Sequence, residues 1–318
     1  MAIFTASDGA RLFYRYYTPS TSPHRPATNT KPTDRQPLTV VFLHGWPLSS
    51  RMFDQLIVPL VETYRFPVIA PDRRGFGNSD WTTPDTPGDV TFDTFSHDAV
   101  ALLEHVLQKQ PDPGPFVFVA SSMGTAESVL AHAASSFLRE HCRGFVWLGA
   151  SMPYPVRCAE CPDASSPERW EAIIEAFRGA GGKEFVAEQV PGIFRLDMGN
   201  QVGARTLKFF EGLVGQADPV ALERTAVILQ KNMAAELRQL AEAGIADEKD
   251  RVPVLIIHGE EDAGMPLDAS AVLVHQLIPW SQLKVYEKAG HGLYLTHDKR
   301  VLEDMLAFLE PIAAKERQ

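Results

Sequence analysis

Short, almost uninterrupted apolar segments recur along the chain, and they limit the possible folds more than any other feature of the sequence. Each is bounded by Gly, Pro or Asp: LTVVFLHG, FPVIAPD, PFVFVASS, GFVWLGAS, VPVLIIHG and LKVYEKAGH. Because they lack polar alternation, they predict strands covered on both faces, as in a mainly parallel sheet between helices. Helical stretches such as DTFSHDAVALLEHVLQ and MGTAESVLAHAASSFL alternate with them, which predicts an open α/β fold.

The first segment of the chain differs from this pattern. Asp8 and Gly9 separate two runs of alternating apolar and polar residues, which predicts a β-hairpin at the edge of the sheet. Residues 18–37 follow, rich in Pro, Ser and Thr and almost free of large apolar side chains. We expect this segment to be a mobile surface loop.

A helical block with no convincing strand interrupts the alternation of strands and helices. It contains two helix-start signals with Pro in the first turn, Ser166-Pro167 and Asp218-Pro219. A block of helices between two buried strands has no space inside the sheet, so it is expected to cover the strand ends. The predicted domains are an α/β core of residues 1–151 and 252–318 and a helical cap, or lid, of residues 152–251.

Charge and the first segment exclude several classes of partner. The 318 residues carry a formal net charge of -10, which repels nucleic acid and anionic membrane surfaces, so neither is an expected partner. The opening residues, MAIFTASDGARLFYRYY, lack a basic start, and no apolar run approaches the ~20 residues that cross a bilayer. We therefore expect a cytoplasmic protein that acts on a small molecule, and the sequence leaves a homo-oligomer open.

The three cysteines, Cys142, Cys158 and Cys161, are too few for a disulfide framework. The segment CAEC at residues 158–161 has the spacing of a redox or metal-binding pair. Zinc usually needs two further ligands at matching spacing, and none is evident. We interpret these thiols as incidental loop residues and predict no metal site.

The segment FVFVASSMGTAES places two adjacent serines at the junction of a predicted strand and a predicted helix. A serine nucleophile at such a sharp turn needs small residues two positions before it and two after it. Ser122 has Ala120 and Gly124 there, whereas the same positions around Ser121 hold a Val and a Met. Ser122 is therefore the candidate nucleophile. From this segment alone, a serine that only caps the helix remains the alternative.

A serine hydroxyl needs a base that is oriented by a third group. His291 lies in a Gly-flanked loop after the last predicted strand, and Asp262 lies just beyond the strand before it. The chain order Ser, Asp, His is the one expected when such groups come from successive strand ends of a parallel sheet. The rivals are His297 as the base, and Glu260 and Glu261 as the acid. Their offsets from the strand ends favour His291 and Asp262.

Acyl transfer also needs hydrogen-bond donors aimed at the developing oxyanion. One candidate is the backbone N–H of Met123, directly after the nucleophile. The other is the backbone N–H of Trp46, in the HGWP segment that follows a buried strand. Pro47 has no N–H, but its fixed φ can hold the loop.

Three motifs, VVFLHGWPLSSRMFD, VIAPDRRGFGNSD and LKVYEKAGHGLYLTH, resemble the α/β-hydrolase superfamily and its cofactor-free chloroperoxidase and aryl esterase branch. The resemblance implies an eight-stranded, mostly parallel sheet with an inserted helical cap. It implies a triad of Ser122, Asp262 and His291, with the Trp46 and Met123 amides as the oxyanion hole. It also implies that no cofactor is needed, and that peroxide can replace water as the acyl acceptor to give a peracid that oxidises halide.

The elbow segment ASSMGT departs from the family's usual Gly-His-Ser-Met-Gly-Gly at three positions. Ala120, Ser121 and Thr125 replace the common residues. The hydroxyl of Ser121 is placed to alter contacts with water or with the leaving group.

Together these features favour a serine hydrolase that cleaves a carboxylic ester or lactone through an acyl-serine intermediate. The substrate-binding candidates are Ser121, Trp170, Phe177 and Phe210; for the three aromatic residues, packing within the cap is the alternative. The alternative functions are a perhydrolase, or a ligand-binding or cyclase-type pathway protein on the same scaffold. Epoxide hydrolases and haloalkane dehalogenases use Asp at the elbow, so the serine argues against both.

Overall fold

The computed structural model describes residues 2–20, 38–82, 90–109, 114–178 and 182–316. Most of the Pro-rich segment, residues 21–37, lies outside the described residues, so its expected mobility stays a prediction.

A single sheet of eight strands forms the centre of the fold. In chain order the strands are β1 (Ala2–Thr5), β2 (Arg11–Tyr17), β3 (Thr39–Leu43), β4 (Val68–Pro71), β5 (Phe116–Ser122), β6 (Cys142–Ala150), β7 (Val254–Gly259) and β8 (Gln282–Tyr286). Their spatial order is β1-β2-β4-β3-β5-β6-β7-β8. All pairs from β4 to β8 are parallel, whereas β1–β2 and β2–β4 are antiparallel. The prediction of a mostly parallel eight-stranded α/β fold is confirmed.

The apolar runs become strands because they suit the interior of a covered sheet. Every residue of β3, β5 and β7 is buried. Successive side chains of a strand point to opposite faces, so complete burial means that both faces are covered. In β5 the side chains turn polar only at the carboxyl end, where Ser121 and Ser122 close the strand.

The predicted hairpin forms the edge of the sheet. β1 pairs with β2, and Ile3 lies opposite Phe13. The turn between them uses Gly9 at φ +85°, a conformation that favours glycine, and the Asp8 carboxylate accepts a hydrogen bond from the Ala10 amide at 3.1 Å. Asp8 and Gly9 therefore have the turn roles that their sequence predicts.

In the part of the chain that the structure describes, seven α-helices accompany the strands outside the long insertion. They are α1 (Asp54–Glu62), α2 (Phe92–Leu107), α3 (Met123–Ala134), α4 (Ser136–His141), α10 (Ala271–Leu277), α11 (Leu293–Thr296) and α12 (Asp298–Glu316). Thr91 begins α2 through a reciprocal hydrogen-bonded box with Thr94. Within the described ranges, no helix is both long and apolar enough to cross a membrane.

Residues 151–253, between β6 and β7, are called the insert. Its described residues form five α-helices. They are α5 (Pro167–Arg178), α6 (Gly182–Ile193), α7 (Ala204–Gln216), α8 (Pro219–Ile228) and α9 (Ala234–Ala246). Both predicted start signals begin helices, and the Asp218 side chain accepts hydrogen bonds from two amides in the first turn of α8. Since α9 packs on α3 and α10, the insert also contacts core helices. The predicted domain limits remain a proposal.

Candidate active site

The candidate site lies at the carboxyl ends of β3, β5, β7 and β8, a region that we call the rim. Ser122 is the last residue of β5 and precedes α3, with φ 52° and ψ −123°. Such a backbone conformation is costly for a non-glycine residue and is typical of functional sites. It turns the chain sharply between strand and helix, as the small neighbouring residues predict.

Gly124 shows why the turn needs a small residue. A Cβ atom at Gly124 would lie 2.3 Å from the Leu43 carbonyl oxygen, because the start of α3 runs directly against the end of β3. Gly45 makes a second close approach, since a Cβ there would lie 3.1 Å from Ser122 Cβ. The loop after β3 and the turn after β5 are therefore in backbone contact.

Asp262 and His291, from the loops after β7 and β8, form a short hydrogen bond. His291 Nδ1 lies 2.6 Å from Asp262 Oδ2, so the ring donates its Nδ1–H to the carboxylate. In the neutral ring, Nε2 is then the nitrogen that can accept a proton. Asp262 Oδ1 accepts hydrogen bonds from the backbone amides of Gly264 and Met265, each at 2.9 Å. These donors hold the carboxylate in one orientation behind the imidazole.

The titration of this pair follows from burial and mutual charge. Burial lowers the pKa of the His291 imidazole, but the Asp262 carboxylate raises it by more, so the net pKa lies above the ordinary value. Burial raises the pKa of Asp262, but His291, the charge of His258 and the hydrogen bond from the Met265 amide lower it, and the net pKa lies below the ordinary value. The carboxylate is therefore ionised at neutral pH, where it orients the imidazole.

The two predicted oxyanion-hole residues are close to Ser122 in the chain or through a neighbour: Met123 follows Ser122 directly, and Trp46 follows Gly45, whose Cβ position lies 3.1 Å from Ser122 Cβ. Met123 is the first residue of α3, so its N–H has no acceptor within the helix. The Trp46 N–H has no acceptor among the contacts of the described residues. The Trp46 side chain anchors the same loop to the insert: its indole N–H donates to the Leu222 carbonyl at 3.2 Å, and its ring meets Phe177 edge-on at 5.3 Å.

A buried ion pair supports this loop from behind, and sequence reasoning missed it. Arg73 Nε donates to the Glu127 carboxylate at 2.8 Å, and Arg73 Nη2 donates to the His44 carbonyl at 2.6 Å. His44 Nε2 accepts from the Arg73 backbone N–H at 2.8 Å. Burial, with a smaller effect from the charge of Arg73, holds the pKa of His44 well below its ordinary value, so the ring is neutral. His44 thus shapes the loop before Trp46.

A cavity of about 570 Å³ lies between the rim and the insert. Ser122 and His291 both line it, with Ser121 and Trp170 among the predicted binding residues. Within the described residues, no hydrogen bond joins Ser122 Oγ to His291. The two side chains line the same cavity without direct contact through a hydrogen bond. Such bonds often form only when substrate is bound.

The cavity wall is mainly apolar. Its lining includes side chains that sequence reasoning did not single out: Leu48, Met52, Ile173, Phe185, Val190, Ile193, Leu229, Met265 and Tyr294. Phe177 and Phe210, which were predicted as substrate-binding, are not part of this lining. Phe177 packs on Trp46 and Phe185, and Phe210 packs on Phe194 and Tyr294. Both residues therefore pack between the insert and the core, because Trp46 and Tyr294 belong to the core.

A family match covers most of the chain. Residues 39–298 match the family model for the α/β hydrolase fold. The chain belongs to the α/β-hydrolase fold family. This α/β hydrolase is 30% identical to a non-heme chloroperoxidase from Streptomyces lividans, over 98% of this chain and 100% of that protein. It is 26% identical to a bifunctional esterase/perhydrolase from Acinetobacter calcoaceticus, over 97% of this chain and 99% of that protein.

A solved structure agrees with the fold of this α/β hydrolase. A bromoperoxidase from Bacillus anthracis matches it with a TM-score of 0.78 and 24% identity, over 97% of this chain and 100% of that chain. The resemblance inferred from the three sequence motifs is confirmed by these comparisons.

Two of the three rival residues of the α/β hydrolase, His297 and Glu260, lie outside the cavity lining, and the third, Glu261, is part of it. His297 follows α11, bonds Thr296 through Nδ1 at 2.9 Å and packs against Tyr286, outside the cavity lining. Glu260 is exposed. Glu261 lines the cavity but is paired with Arg195 at 3.3 Å.

The CAEC segment forms a tight turn with free thiols. Cys158 and Cys161 exchange two backbone hydrogen bonds, each of 3.2 Å, and neither thiol is in a disulfide. Within the described residues, no group of three or more His, Cys, Asp or Glu side chains has a metal-binding arrangement.

Proposed function

We propose that this α/β hydrolase cleaves a carboxylic ester or lactone through an acyl-Ser122 intermediate. Ser122 Oγ attacks the carbonyl carbon while His291 Nε2 takes the hydroxyl proton. The amides of Trp46 and Met123 stabilise the oxyanion. His291 then returns the proton to the leaving alcohol, and the Asp262 carboxylate stabilises the imidazolium between the two steps.

Water completes the cycle by the same route. His291 takes a proton from water, the resulting hydroxide attacks the acyl carbon, and the carboxylic acid leaves as Ser122 regains its proton. For a lactone the alcohol and the acid are parts of one product, a hydroxy acid. No group beyond these side chains and amides is needed for either half-reaction.

One observation carries this proposal: a strained serine and an imidazole held by a buried carboxylate line the same mainly apolar cavity. Strain at Ser122, with φ 52°, is maintained by the contacts of α3 against β3, which fits a preorganised nucleophile. A serine that only capped α3 would need neither this conformation nor the Asp262–His291 bond.

Covalent labelling tests the proposal directly. A fluorophosphonate probe should modify the native protein, and peptide mass spectrometry should place the label on Ser122 rather than on its neighbour Ser121. The Ser122→Ala variant should lose labelling and at least about 10⁴-fold in turnover of a nitrophenyl ester. The exposed Ser136 provides a matched control, since Ser136→Ala should keep both properties.

Two results would reject this function. A folded protein that does not react with the probe would favour a ligand-binding protein on a hydrolase scaffold. Unchanged ester turnover in pure Ser122→Ala protein would assign the chemistry to another residue.

Perhydrolysis is a second candidate function, supported by the relatives. The Acinetobacter protein is named an esterase/perhydrolase and the Streptomyces protein a non-heme chloroperoxidase. In this reaction hydrogen peroxide replaces water: its oxygen attacks the acyl-Ser122 carbon, His291 takes its proton, and a peracid leaves. The peracid then transfers one oxygen atom to halide, which gives hypohalite and the carboxylic acid, and this acid can acylate Ser122 again with loss of water. Bromide oxidation that needs both acetate and peroxide, and that Ser122→Ala abolishes, would support it.

A further inference from the structure

Arg169 brings a positive charge to the cavity that holds Ser122 and His291. It lies in the first turn of α5, is exposed, and lines the cavity. Its Nη1 donates to the carbonyl of Ala263, the residue after Asp262, at 2.6 Å. This bond fixes the guanidinium over the loop that carries the candidate triad acid, while Nε and Nη2 have no acceptor among the described residues.

Arg195, a second arginine of the insert, has carboxylate partners, and one of them, Glu261, lines the same cavity. Arg195 bonds the carboxylate of Asp197 through two nitrogens, each at 2.9 Å, and lies 3.3 Å from the Glu261 carboxylate. Arg169 has no carboxylate partner within the described parts of the chain. Since Glu261 already has Arg195, Arg169 is, among the lining residues that the structure describes, the arginine whose charge has no carboxylate partner.

The charge also acts on the reacting groups. Burial and, to a smaller extent, the positive charge of Arg169 lower the pKa of His291, against the larger opposite effect of Asp262. Arg169 and Ser122 line the same cavity, so a molecule with one group bound to Arg169 can also reach Ser122. In a chain with a net charge of -10, an uncompensated cation beside an apolar cavity attracts anions locally.

We propose that Arg169 is a specificity-determining residue that binds a carboxylate carried by the substrate. The substrate class is then an ester or lactone with a free carboxylate in addition to the bond that is cleaved, with its carbon chain against the apolar wall. A guanidinium with two unused donor positions matches a carboxylate in geometry as well as in charge. This inference rests on the proposed ester or lactone hydrolysis and names its substrate.

Matched substrates test the proposal. For a carboxylate on the acyl side, 4-nitrophenyl hydrogen glutarate is compared with its uncharged methyl ester. For a carboxylate on the alcohol side, 4-acetoxybenzoate is compared with its methyl ester. In at least one pair, the ratio of kcat/KM for the charged over the uncharged substrate should fall about five- to tenfold in Arg169→Gln. Arg169→Lys should restore part of the ratio, and high salt should reduce it in the unaltered protein.

Arg178 on the same helix supplies the control. It is exposed, pairs with Glu175 and Glu223, and is not part of the cavity lining, so Arg178→Gln should leave both ratios unchanged. An Arg169→Gln variant that lowers the charged and uncharged substrates equally would make Arg169 a support for the loop of Ala263, and the proposal would be wrong. Unaltered ratios in both pairs would also overturn it.

A binding measurement separates this inference from the proposed function. Calorimetry with Ser122→Ala and with Ser122→Ala/Arg169→Gln measures affinity for 4-nitrophenyl hydrogen glutarate and 4-acetoxybenzoate without turnover. Weaker binding of one of them in the double variant supports the carboxylate site, even if the native protein hydrolyses no ester. Equal affinities in the two variants, with esters turned over, would leave the hydrolase function standing and reject the carboxylate site.

Discussion

The rim and the insert line one cavity, but different contacts hold them in place. At the rim, backbone meets backbone: Gly124 lies against Leu43, and Gly45 lies against Ser122. In the insert, amphipathic helices present side chains, and only Trp170, Ile174 and Phe177 are buried along the whole of α5. The rim therefore leaves little freedom for its reacting groups, whereas the insert can exchange side chains at modest cost. We infer that the chemistry belongs to the rim and the substrate preference to the insert.

The largest expected effect comes from a polar change at the rim. Asp262→Asn should lower the turnover of a nitrophenyl ester by about 10⁴-fold, because the imidazole loses both its orientation and its compensating charge. The exposed neighbour Glu260 is the control, and Glu260→Gln should leave turnover unchanged. A loss below about tenfold in Asp262→Asn would transfer the acid role to another carboxylate.

The same variant has a pH signature. His291 must be neutral to accept a proton, and its pKa lies above the ordinary 6.5, so kcat/KM should fall as the pH drops through a pKa higher than that value. Asp262→Asn removes the raising effect and leaves burial and Arg169, which both lower the pKa. The acid limb of the residual activity should therefore move to lower pH. A limb that stays in place would show that another group titrates.

Next in size is the difference between the ion pair that supports the rim from behind and one in the insert. The Arg73–Glu127 pair is buried, so Glu127→Leu leaves a buried guanidinium unpaired and should lower the free energy of unfolding by about 3–5 kcal/mol. The Arg178–Glu223 pair of the insert is exposed, and Glu223→Leu should change it by less than about 1 kcal/mol. Urea denaturation of both variants makes the comparison, and similar losses would contradict it.

The smallest expected effects are the changes in stability when one of two glycines, Gly124 or Gly212, is replaced by alanine. Gly124→Ala should destabilise the protein by about 1–3 kcal/mol and lower turnover, because its Cβ meets the Leu43 carbonyl oxygen. Gly212, inside α7, has open space around its Cβ position, so Gly212→Ala should stabilise by up to about 1 kcal/mol. Thermal unfolding distinguishes the two signs. Stabilisation by Gly124→Ala would mean that the rim is less tightly packed than described.

The rim could be predicted from the sequence more completely than the insert. Strand ends are local features, so the small residues around Ser122 and the offsets of Asp262 and His291 were enough to nominate a triad. The Arg73–Glu127 pair joins residues 54 positions apart, and no local pattern reports such a contact. Continuous apolar runs also predicted the interior strands, because a covered strand needs apolar residues on both faces.

The insert is harder to predict from its helices. Trp170 and Phe177, both in α5, were predicted to bind substrate, and Trp170 lines the cavity. Helical periodicity could not show that Phe177 packs against Trp46 instead. Periodicity also hides Arg169, which lies next to Trp170 in sequence and on the polar side of the helix. Whether a side chain meets a cavity or a neighbour depends on how helices are placed relative to each other.

Trp46 has a consequence for protein engineering. Its backbone belongs to the loop beside Ser122, while its indole is bonded to Leu222 and packed on Phe177, both in the insert. A chimera that takes its insert from another member of the family would therefore disturb the loop that carries the proposed oxyanion donor Trp46, unless the grafted helices supply an acceptor and an aromatic edge for that indole. Exchange of specificity between such enzymes should succeed when position 46 is transplanted together with the helices it contacts.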